Sequence, residues 1–464
     1  MRLKKGKVHW KADCHQKAEN PSKPSSLKNF IHCGYPLDVG WREPSYAISW
    51  NVISHCLDSA MTYMNAHALF VGANVSASYH QAILLPDDKA EALRSDDKQL
   101  RAAMRSAAEL VVKQGNVMAF ASDAFRDQKQ TAPSLELKFL LQGGMAYKTA
   151  VHPAFLPPQQ CDRDTGVYVK TSYLDHDSPG IASEKYFALA ERAIKPLCDL
   201  HGWKIVKKAT CVRVELSPEL HIDYPLYAIP DEEFIALAMA FADTTGIALN
   251  SAMDDMSNYF KRFPHLRIPT DRVMLAHREL GWIHSDPRAL HDWFEDHFSR
   301  FSGLRRQCRY LKGWRDFTFD TGGPTSILLM VCAANAYRSG MVDAKDNRDD
   351  EAFLSIAKAL PEMLRGDVLN PVLEERSVLN AWDDVERRRI ISEIEQLEQH
   401  VDTALNGHFH SSITVERLRN ALGGRVPNRP DLVKAHMSVP GEVSAPVKIA
   451  PVSALPQVRR TVSG

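Results

Sequence analysis

The first regular pattern along the chain is helical. Between residues 87 and 113, apolar side chains recur at every third or fourth position among charged ones. This spacing places the apolar side chains on one face of an α-helix. The residues before this helix show no clean period. The pattern therefore predicts an irregular N-terminal segment over residues 1–85, followed by an amphipathic helix.

A second pattern follows, in which polar and apolar residues alternate as they do in half-buried β-strands. The strand-like runs are residues 137–142, 161–170, 210–216 and 221–229. Between the second and third runs, residues 184–200 have helical spacing, and Gly202 stands where such a helix would end. These elements predict a lobe of mixed α and β structure over residues 86–235.

The pattern changes again after about residue 232, where strand signals almost vanish. Residues 290–315 place large apolar side chains on one helical stripe, and residues 327–334 are apolar on every side, as in a buried helix. We expect a helical C-terminal lobe over residues 236–428. Proline, valine, alanine and serine then dominate without a period, which predicts a flexible tail over residues 429–464. The fold class expected is α+β.

The amino-acid composition limits which substrates and which cellular compartment are expected. A chain of 464 residues favours two lobes with a cleft between them. Lysine plus arginine equals aspartate plus glutamate at 57 each, which argues against long nucleic acid and for small substrates. The longest apolar run is well short of the roughly 20 residues that cross a bilayer, so no membrane contact is expected. The cysteines form no Cys-x-x-Cys pair, and the polar start lacks a signal peptide, which predicts a reduced, cytoplasmic protein.

Aspartates at strand positions carry the candidate chemistry. Asp162 and Asp164 lie two apart in one strand, so their side chains project from the same face and can hold a pair of divalent ions. Asp223 lies in the last strand-like run, where an acid among apolar residues needs a reason. Such a carboxylate set is what two-metal phosphoryl transfer requires. Taken alone, Asp-x-Asp is more often an exposed strand face or a turn.

The glycine pair that ends the first strand adds to this reading. Gly143 and Gly144 have no side chains, so backbone N–H groups can approach a triphosphate there. A glycine pair alone is usually an ordinary turn. Followed by the Asp-x-Asp strand and then by a third strand aspartate, it indicates nucleotidyl transfer.

Several longer blocks are specific enough to support a family resemblance. In one-letter code they are QGG at 142–144, CDRDTG at 161–166, TCVR at 210–213, HIDYPLYAIP at 221–230, WIHSDP at 282–287, RYLKGWRD at 309–316 and GGPTSI at 322–327. Over residues 142–365, and again in the tail, the chain resembles the bacterial cGAS/DncV-like nucleotidyltransferases, in particular the DncV-type cyclic GMP-AMP synthases.

The resemblance implies a fold and an activity. The fold would be a DNA polymerase beta-like nucleotidyltransferase lobe with a mixed sheet, joined to a helical lobe. The cleft would take ATP and GTP with two Mg²⁺ ions, or Mn²⁺ in their place. The product would be 3',3'-cyclic GMP-AMP, made as the signal of an antiphage defence system and read by a downstream effector that the cyclic dinucleotide activates.

The resemblance also implies roles for individual residues of this chain. Matching motifs imply that the donor triphosphate or its base is lined by Gln142, Gly143, Gly144 and Tyr147. Arg213 would contact a nucleotide, and Lys312 and Ser326 would reach phosphates from the helical lobe. Judged without the resemblance, Lys312 is equally a solvated helix position, and Ser326 simply begins a helix after a proline.

One position departs from the family pattern. The relatives have Gly-Ser where this chain has Gly143 and Gly144, so a hydroxyl that could bind a phosphate oxygen is missing. We expect a reduced rate or altered nucleotide handling. We do not expect a dead enzyme, because the backbone N–H groups and the carboxylates remain.

The C-terminus resembles that of the family, and two rival functions remain open. The ending Thr-Val-Ser-Gly464 resembles the relatives' tail, which a ubiquitin-like E1/E2 partner conjugates through its last glycine. One rival is a linear nucleotidyltransferase that acts on RNA, against which the neutral overall charge counts. The other is a catalytically weak nucleotide-binding scaffold conjugated through Gly464, against which the retained Asp162, Asp164 and Asp223 count.

Overall fold

The structure is a computed structural model of the chain. It describes residues 64–72, 77–113, 135–173, 179–235, 272–343, 347–373 and 377–435. Gly464, nearly all of the expected tail and the first 63 residues lie outside these ranges, so the expectations for them stay predictions.

Short and long strands alternate with helices along the described residues. The strands are β1 Met64–Asn65, β2 Lys138–Gln142, β3 Cys161–Lys170, β4 Lys204–Lys207, β5 Cys211–Ser217, β6 Leu220–Ile229, β7 Met274–His277, β8 Gly281–His284 and β9 Lys434–Ala435. The helices are α1 His67–Phe70, α2 Tyr79–Ala82, α3 Asp87–Lys113, α4 Gly143–Ala146, α5 Pro179–His201, α6 Pro287–Arg300, α7 Leu304–Thr318, α8 Ser326–Arg338, α9 Asp349–Arg365, α10 Asp384–Asn406 and α11 Ser411–Leu422.

The first lobe is built on a seven-stranded mixed sheet. Its main path runs β2-β3-β6-β5-β4, and β7 pairs with β6 and with β8. Strands β3 and β6 are parallel, whereas the other pairs are antiparallel. The mixed sheet and the α+β class expected from the sequence are confirmed.

Helices α3 and α5 cover one face of this sheet. Leu100 of α3 and Ile194 of α5 are completely buried in the same core as Val167 of β3 and Leu226 of β6. Because strand residues alternate between faces, the apolar positions of each strand meet these helices. The intervening residues project from the opposite face, where the candidate site lies.

The second lobe is a helical bundle with its own apolar core. Helix α8 is buried at every residue from Leu328 to Ala334, as its uniform hydrophobicity predicts. The single helical stripe expected over residues 290–315 is two helices, α6 and α7. Gly303 separates them with φ of +84°, a left-handed conformation that cannot continue an α-helix.

Two domain boundaries differ from those expected. The sheet does not end near residue 236, because β7 and β8 extend it to His284. The described parts of the expected irregular segment, residues 64–72 and 77–85, contain regular structure. Helices α1 and α2 place Phe70 and Tyr79 in the core of the helical lobe, and β1 pairs with β9 at Met64 and Ala435. Elements of two to four residues are too short to show a period, which is why the pattern missed them. In the described part of the chain, no helix has the length and apolar character to cross a bilayer.

Candidate active site

Four of the candidate residues form one row across the sheet. Gln142 on β2 is the register partner of Asp164 on β3, which is the partner of Asp223 on β6, which in turn is the partner of Arg213 on β5. Register partners on adjacent strands project from the same face. Asp162, two residues before Asp164, therefore shares this face as well. The sheet thus brings together acids that are far apart in sequence.

The carboxylate of Asp164 lies against Gly143, the first residue of the Gly143–Gly144 pair at the start of α4, here called the glycine turn. A Cβ atom built at Gly143 would be 1.8 Å from Asp164 Oδ2, and Gly143 has φ of +63°. Only glycine fits a position that is both this close and left-handed. Burial, and then the carboxylates of Asp162 and Asp223, raise the pKa of Asp164 well above its usual value. The acids therefore repel one another, as they would at a site that holds a cation.

Asp223 is engaged by an arginine in this structure. Arg213 Nε donates to Asp223 Oδ1 at 2.8 Å, and its Nη2 donates to Oδ2 at 2.7 Å. Among the described residues, no group of three or more His, Cys, Asp or Glu side chains is arranged as a ready metal cage. Arg213 is thus placed at the site, but as the partner of an acid rather than as a free nucleotide contact.

A lysine from the helical lobe reaches the same turn. Lys312 on α7 is 5% exposed, and its Nζ donates to the Thr149 carbonyl oxygen at 2.9 Å. The same Nζ atom lies 3.1 Å from a Cβ built at Gly144. Burial lowers the pKa of Lys312, while Asp162 and Asp164 act to raise it. Lys312 is therefore a buried cation beside the carboxylates rather than a solvated helix position.

Ser326 is the first residue of α8, where Thr325 provides the N-cap. Its hydroxyl accepts a hydrogen bond from Arg315 Nη1 at 2.6 Å. Arg315 also donates through Nε to Asp316 Oδ1 at 2.8 Å. Ser326 thus begins the helix and is held by an arginine that the sequence reading did not single out.

Two tyrosines fix the side chain of Gln142. Its Nε2 donates to the hydroxyl of Tyr168 at 2.8 Å, and its Oε1 accepts from the hydroxyl of Tyr227 at 3.2 Å. The two tyrosine rings stack with centroids 4.8 Å apart. Sequence reasoning missed both tyrosines, although each stands at the strand position that shares a face with the aspartates.

Tyr147 and His221 also lie near the row. Tyr147 follows α4 directly, and its buried ring stacks on His291 at 5.8 Å and packs on Phe294 at 5.2 Å. His221 is the register partner of Asp162, and its Nε2 is 3.8 Å from Asp223 Oδ2. His221 was not singled out from the sequence, although its spacing from Asp223 gives it the same face.

Comparison with known proteins gives a consistent result. A family described as "Cyclic GMP-AMP synthase DncV-like, nucleotidyltransferase domain" matches residues 137–227, and "Cyclic GMP-AMP synthase, C-terminal domain" matches residues 302–435. A cyclic GMP-AMP synthase of Vibrio cholerae serotype O1 is 32% identical over 346 residues, which cover 70% of this chain and 77% of the relative. One from Escherichia coli is 30% identical over 322 residues, covering 67% of this chain and 72% of the relative.

Solved structures of a cyclic AMP-GMP synthase are also similar to this chain. The crystal structure of Vibrio cholerae DncV cyclic AMP-GMP synthase in complex with the linear intermediate 5' pppA(3',5')pG has a TM-score of 0.66 and 26% identity. It covers 81% of this chain and 99% of that chain. The structure of the same synthase with GTP and 5MTHFGLU2 has a TM-score of 0.66 at 25% identity and covers 81% and 100% of the two chains.

The fold and the matches together define the class of protein, a nucleotidyltransferase with a DNA polymerase beta-like catalytic lobe. The chain belongs to the family of DncV-like cyclic GMP-AMP synthases. The resemblance drawn from the sequence motifs is therefore confirmed for family, fold and enzyme class. The roles of the individual site residues stay predictions.

Proposed function

We propose that this nucleotidyltransferase joins ATP and GTP into 3',3'-cyclic GMP-AMP. The row that pairs Asp164 with Asp223, beside Asp162 and the glycine turn, is the observation that carries the proposal. Relatives named cyclic GMP-AMP synthases support the product, and the related synthase has been crystallised with ATP, GTP and a linear pppA(3',5')pG intermediate. These support nucleoside triphosphates as the substrates.

The donor set suits Mg²⁺, with Mn²⁺ as an alternative. Asp162, Asp164 and Asp223 offer hard oxygen ligands. Burial, and then repulsion from the other two carboxylates, raise the pKa of Asp164, and a divalent cation would relieve that repulsion. When bound, two such ions lower the pKa of an attacking 3'-hydroxyl and neutralise the triphosphate and the leaving pyrophosphate. To bind a metal ion, Asp223 would have to release the hydrogen bonds that it accepts from Arg213.

Different residues of the chain would then bind the triphosphate and orient the acceptor hydroxyl. Gly143 and Gly144 let the backbone approach the triphosphate, and Lys312 supplies positive charge from the opposite lobe. Asp223 orients the acceptor 3'-hydroxyl and accepts its proton, while the hydroxyl oxygen forms a bond to the α-phosphorus and pyrophosphate leaves. Released from Asp223, Arg213 turns to a nucleotide. A second such reaction closes the ring.

Ser326, Gln142 and Tyr147 are assigned to nucleotide binding. Ser326 would meet the phosphates from the start of α8, and Gln142 and Tyr147 would line the donor. The glycine at position 144 leaves room for the Lys312 ammonium group, since a side chain there would meet Nζ at 3.1 Å. Lys312 can thereby take over phosphate contacts from the hydroxyl that the family pattern places here.

The decisive experiment incubates the purified chain with ATP, GTP and Mg²⁺, followed by phosphatase and mass spectrometry. We expect a phosphatase-resistant product with the mass of cyclic GMP-AMP, which is lost in an Asp162→Ala, Asp164→Ala double variant. Nucleotides added to an RNA supplied in the same reaction would replace the proposal with the linear transferase. Absence of any product would favour the scaffold.

The biological setting belongs to the same proposal. The product would act in the cytoplasm as the signal of an antiphage defence system and would activate a downstream effector. Gly464 would be joined by a ubiquitin-like E1/E2 partner to a target amine. Co-expression with such a partner should give conjugates of the intact chain and none of a chain with Gly464 deleted.

A further inference from the structure

A buried acid lies behind the carboxylate row, on the opposite face of the sheet. Asp97 on α3 is completely buried. Its Oδ2 accepts from Arg163 Nε at 3.0 Å, and its Oδ1 accepts from the Tyr224 hydroxyl at 3.0 Å. Arg101, one turn further along α3, adds a second cation at 3.0 Å from Oδ2. A charge removed from water this completely is stable only with such partners.

The partners of Asp97 are neighbours of the site aspartates in sequence. Arg163 stands between Asp162 and Asp164 on β3, and Tyr224 follows Asp223 on β6. Adjacent strand residues project from opposite faces. Each strand therefore presents its acid to the site and, from the next residue, a hydrogen-bond donor to Asp97. A single carboxylate ties both strands together directly behind the row.

The same contacts extend to the glycine turn. Arg163 Nη1 lies 3.5 Å from the sulfur of Met145, which belongs to α4. Arg163 is 3% exposed and Tyr224 is completely buried, so both side chains are confined by packing. Movement of Asp97 would therefore shift β3, β6 and the turn that contacts Asp164.

We propose that Asp97 is a positioning residue that sets the spacing of the Asp162–Asp164 strand against the Asp223 strand, and thereby the geometry of the metal-binding carboxylates. The inference rests on the proposed function, because it assigns those carboxylates to metal. It predicts that loss of Asp97 impairs metal binding and turnover more than a loss of stability explains. Nucleotide contacts made by the helical lobe should be largely retained.

The test compares Asp97→Asn with Asp350→Asn. Asp350 is equally buried, is held by Arg348 Nε at 3.0 Å and by Ala66 N at 2.8 Å, and lies in the helical lobe. Mn²⁺ binding is measured by electron paramagnetic resonance with a non-hydrolysable ATP analogue, alongside turnover and thermal unfolding. We expect Asp97→Asn to weaken Mn²⁺ binding and lower kcat by about 10- to 100-fold. Asp350→Asn should lower the unfolding temperature and leave Mn²⁺ affinity unchanged.

A second pair keeps the test informative if Asp97→Asn does not fold. Tyr224→Phe removes only a hydroxyl, and Tyr310→Phe is its control, since the Tyr310 hydroxyl donates to the buried Asp349 at 2.8 Å. Weaker Mn²⁺ binding in Tyr224→Phe alone supports the inference. Equal Mn²⁺ affinity and equal kcat of the two variants in each matched pair would overturn the inference.

The wild-type chain separates failure of this inference from failure of the proposed function. If the wild-type chain binds Mn²⁺ but forms no product, the proposed function fails, while the Mn²⁺ affinities of the variants still decide the role of Asp97. If wild-type binds no Mn²⁺, both fail.

Discussion

Asp164 and Asp223 face the same side of the sheet as register partners on parallel strands, although a helix and two strands separate them in the chain. Antiparallel neighbours continue the same row to Gln142 and Arg213. Backbone pairing of this kind holds side chains more rigidly than loops do, which suits a site that must fix two reacting nucleotides.

Replacing Asp223 with Asn should abolish nucleotidyl transfer while preserving the fold. The amide retains an oxygen for Arg213 but loses the charge that a metal and an acceptor hydroxyl require. We expect pyrophosphate release to fall on the order of 10³-fold. Asp199→Asn is the control, because Asp199 lies exposed on α5 and, within the described ranges, its side chain pairs with Lys195. A variant at position 223 that turns over normally would remove this residue from the chemistry.

Gly143→Ala should disrupt the site through a direct collision. The new Cβ would stand 1.8 Å from Asp164 Oδ2, so the carboxylate must leave its place. We expect kcat/KM to fall roughly 100-fold or more. Gly202→Ala is matched for backbone strain, since Gly202 has φ of +72° but no atom of the described residues lies within 4 Å of its Cβ position. It should cost about 1 kcal/mol of folding free energy and no activity. Equal activity losses would show that strain alone explains the effect.

Lys312→Met should weaken nucleotide binding more than it slows the chemical step. Methionine nearly preserves the volume of the lysine stem, but it removes a buried cation that lies beside the glycine turn. We expect the KM for the triphosphates to rise about tenfold. Lys358→Met removes a half-exposed lysine that pairs with Asp402 on the helical lobe, and it should leave KM unchanged. Steady-state kinetics of the two variants decide between them.

Asp164→Asn should stabilise the metal-free protein at neutral pH. Burial and the neighbouring acids raise the pKa of Asp164 above its usual 3.8, so the folded state resists ionisation that the unfolded state permits. The free energy of unfolding of the wild type therefore falls by about 1.4 kcal/mol for each pH unit between 3.8 and the higher pKa of the folded state. The stability advantage of the variant should vanish near pH 3, where Asp164 of the wild type is protonated in both the folded and the unfolded state.

The measurement is thermal unfolding in EDTA across this pH range. Excess Mg²⁺ with a non-hydrolysable nucleotide should reverse the order, because only the wild type gains stability from binding. A variant that is less stable than the wild type at neutral pH in EDTA would contradict the raised pKa of Asp164.

Local sequence patterns were enough to predict the elements that have a period and the acids within them. The long helix α3, the strands that hold Asp162, Asp164 and Asp223, and the uniformly apolar α8 follow from local spacing. So does the face that Asp162 and Asp164 share. The family motifs added the enzyme class and the expected fold, both confirmed by the comparisons.

Which of these residues meet could not be read from local patterns, because it depends on how the elements pack. Strand pairing set Asp164 opposite Asp223 and turned Arg213 onto Asp223, and helix packing brought Lys312 to Gly144. The same holds for Asp97, whose partners stand on two strands that no local pattern links to α3. Periodicity reports which face a side chain occupies along one element, whereas the contacts between faces depend on how distant elements share a buried core.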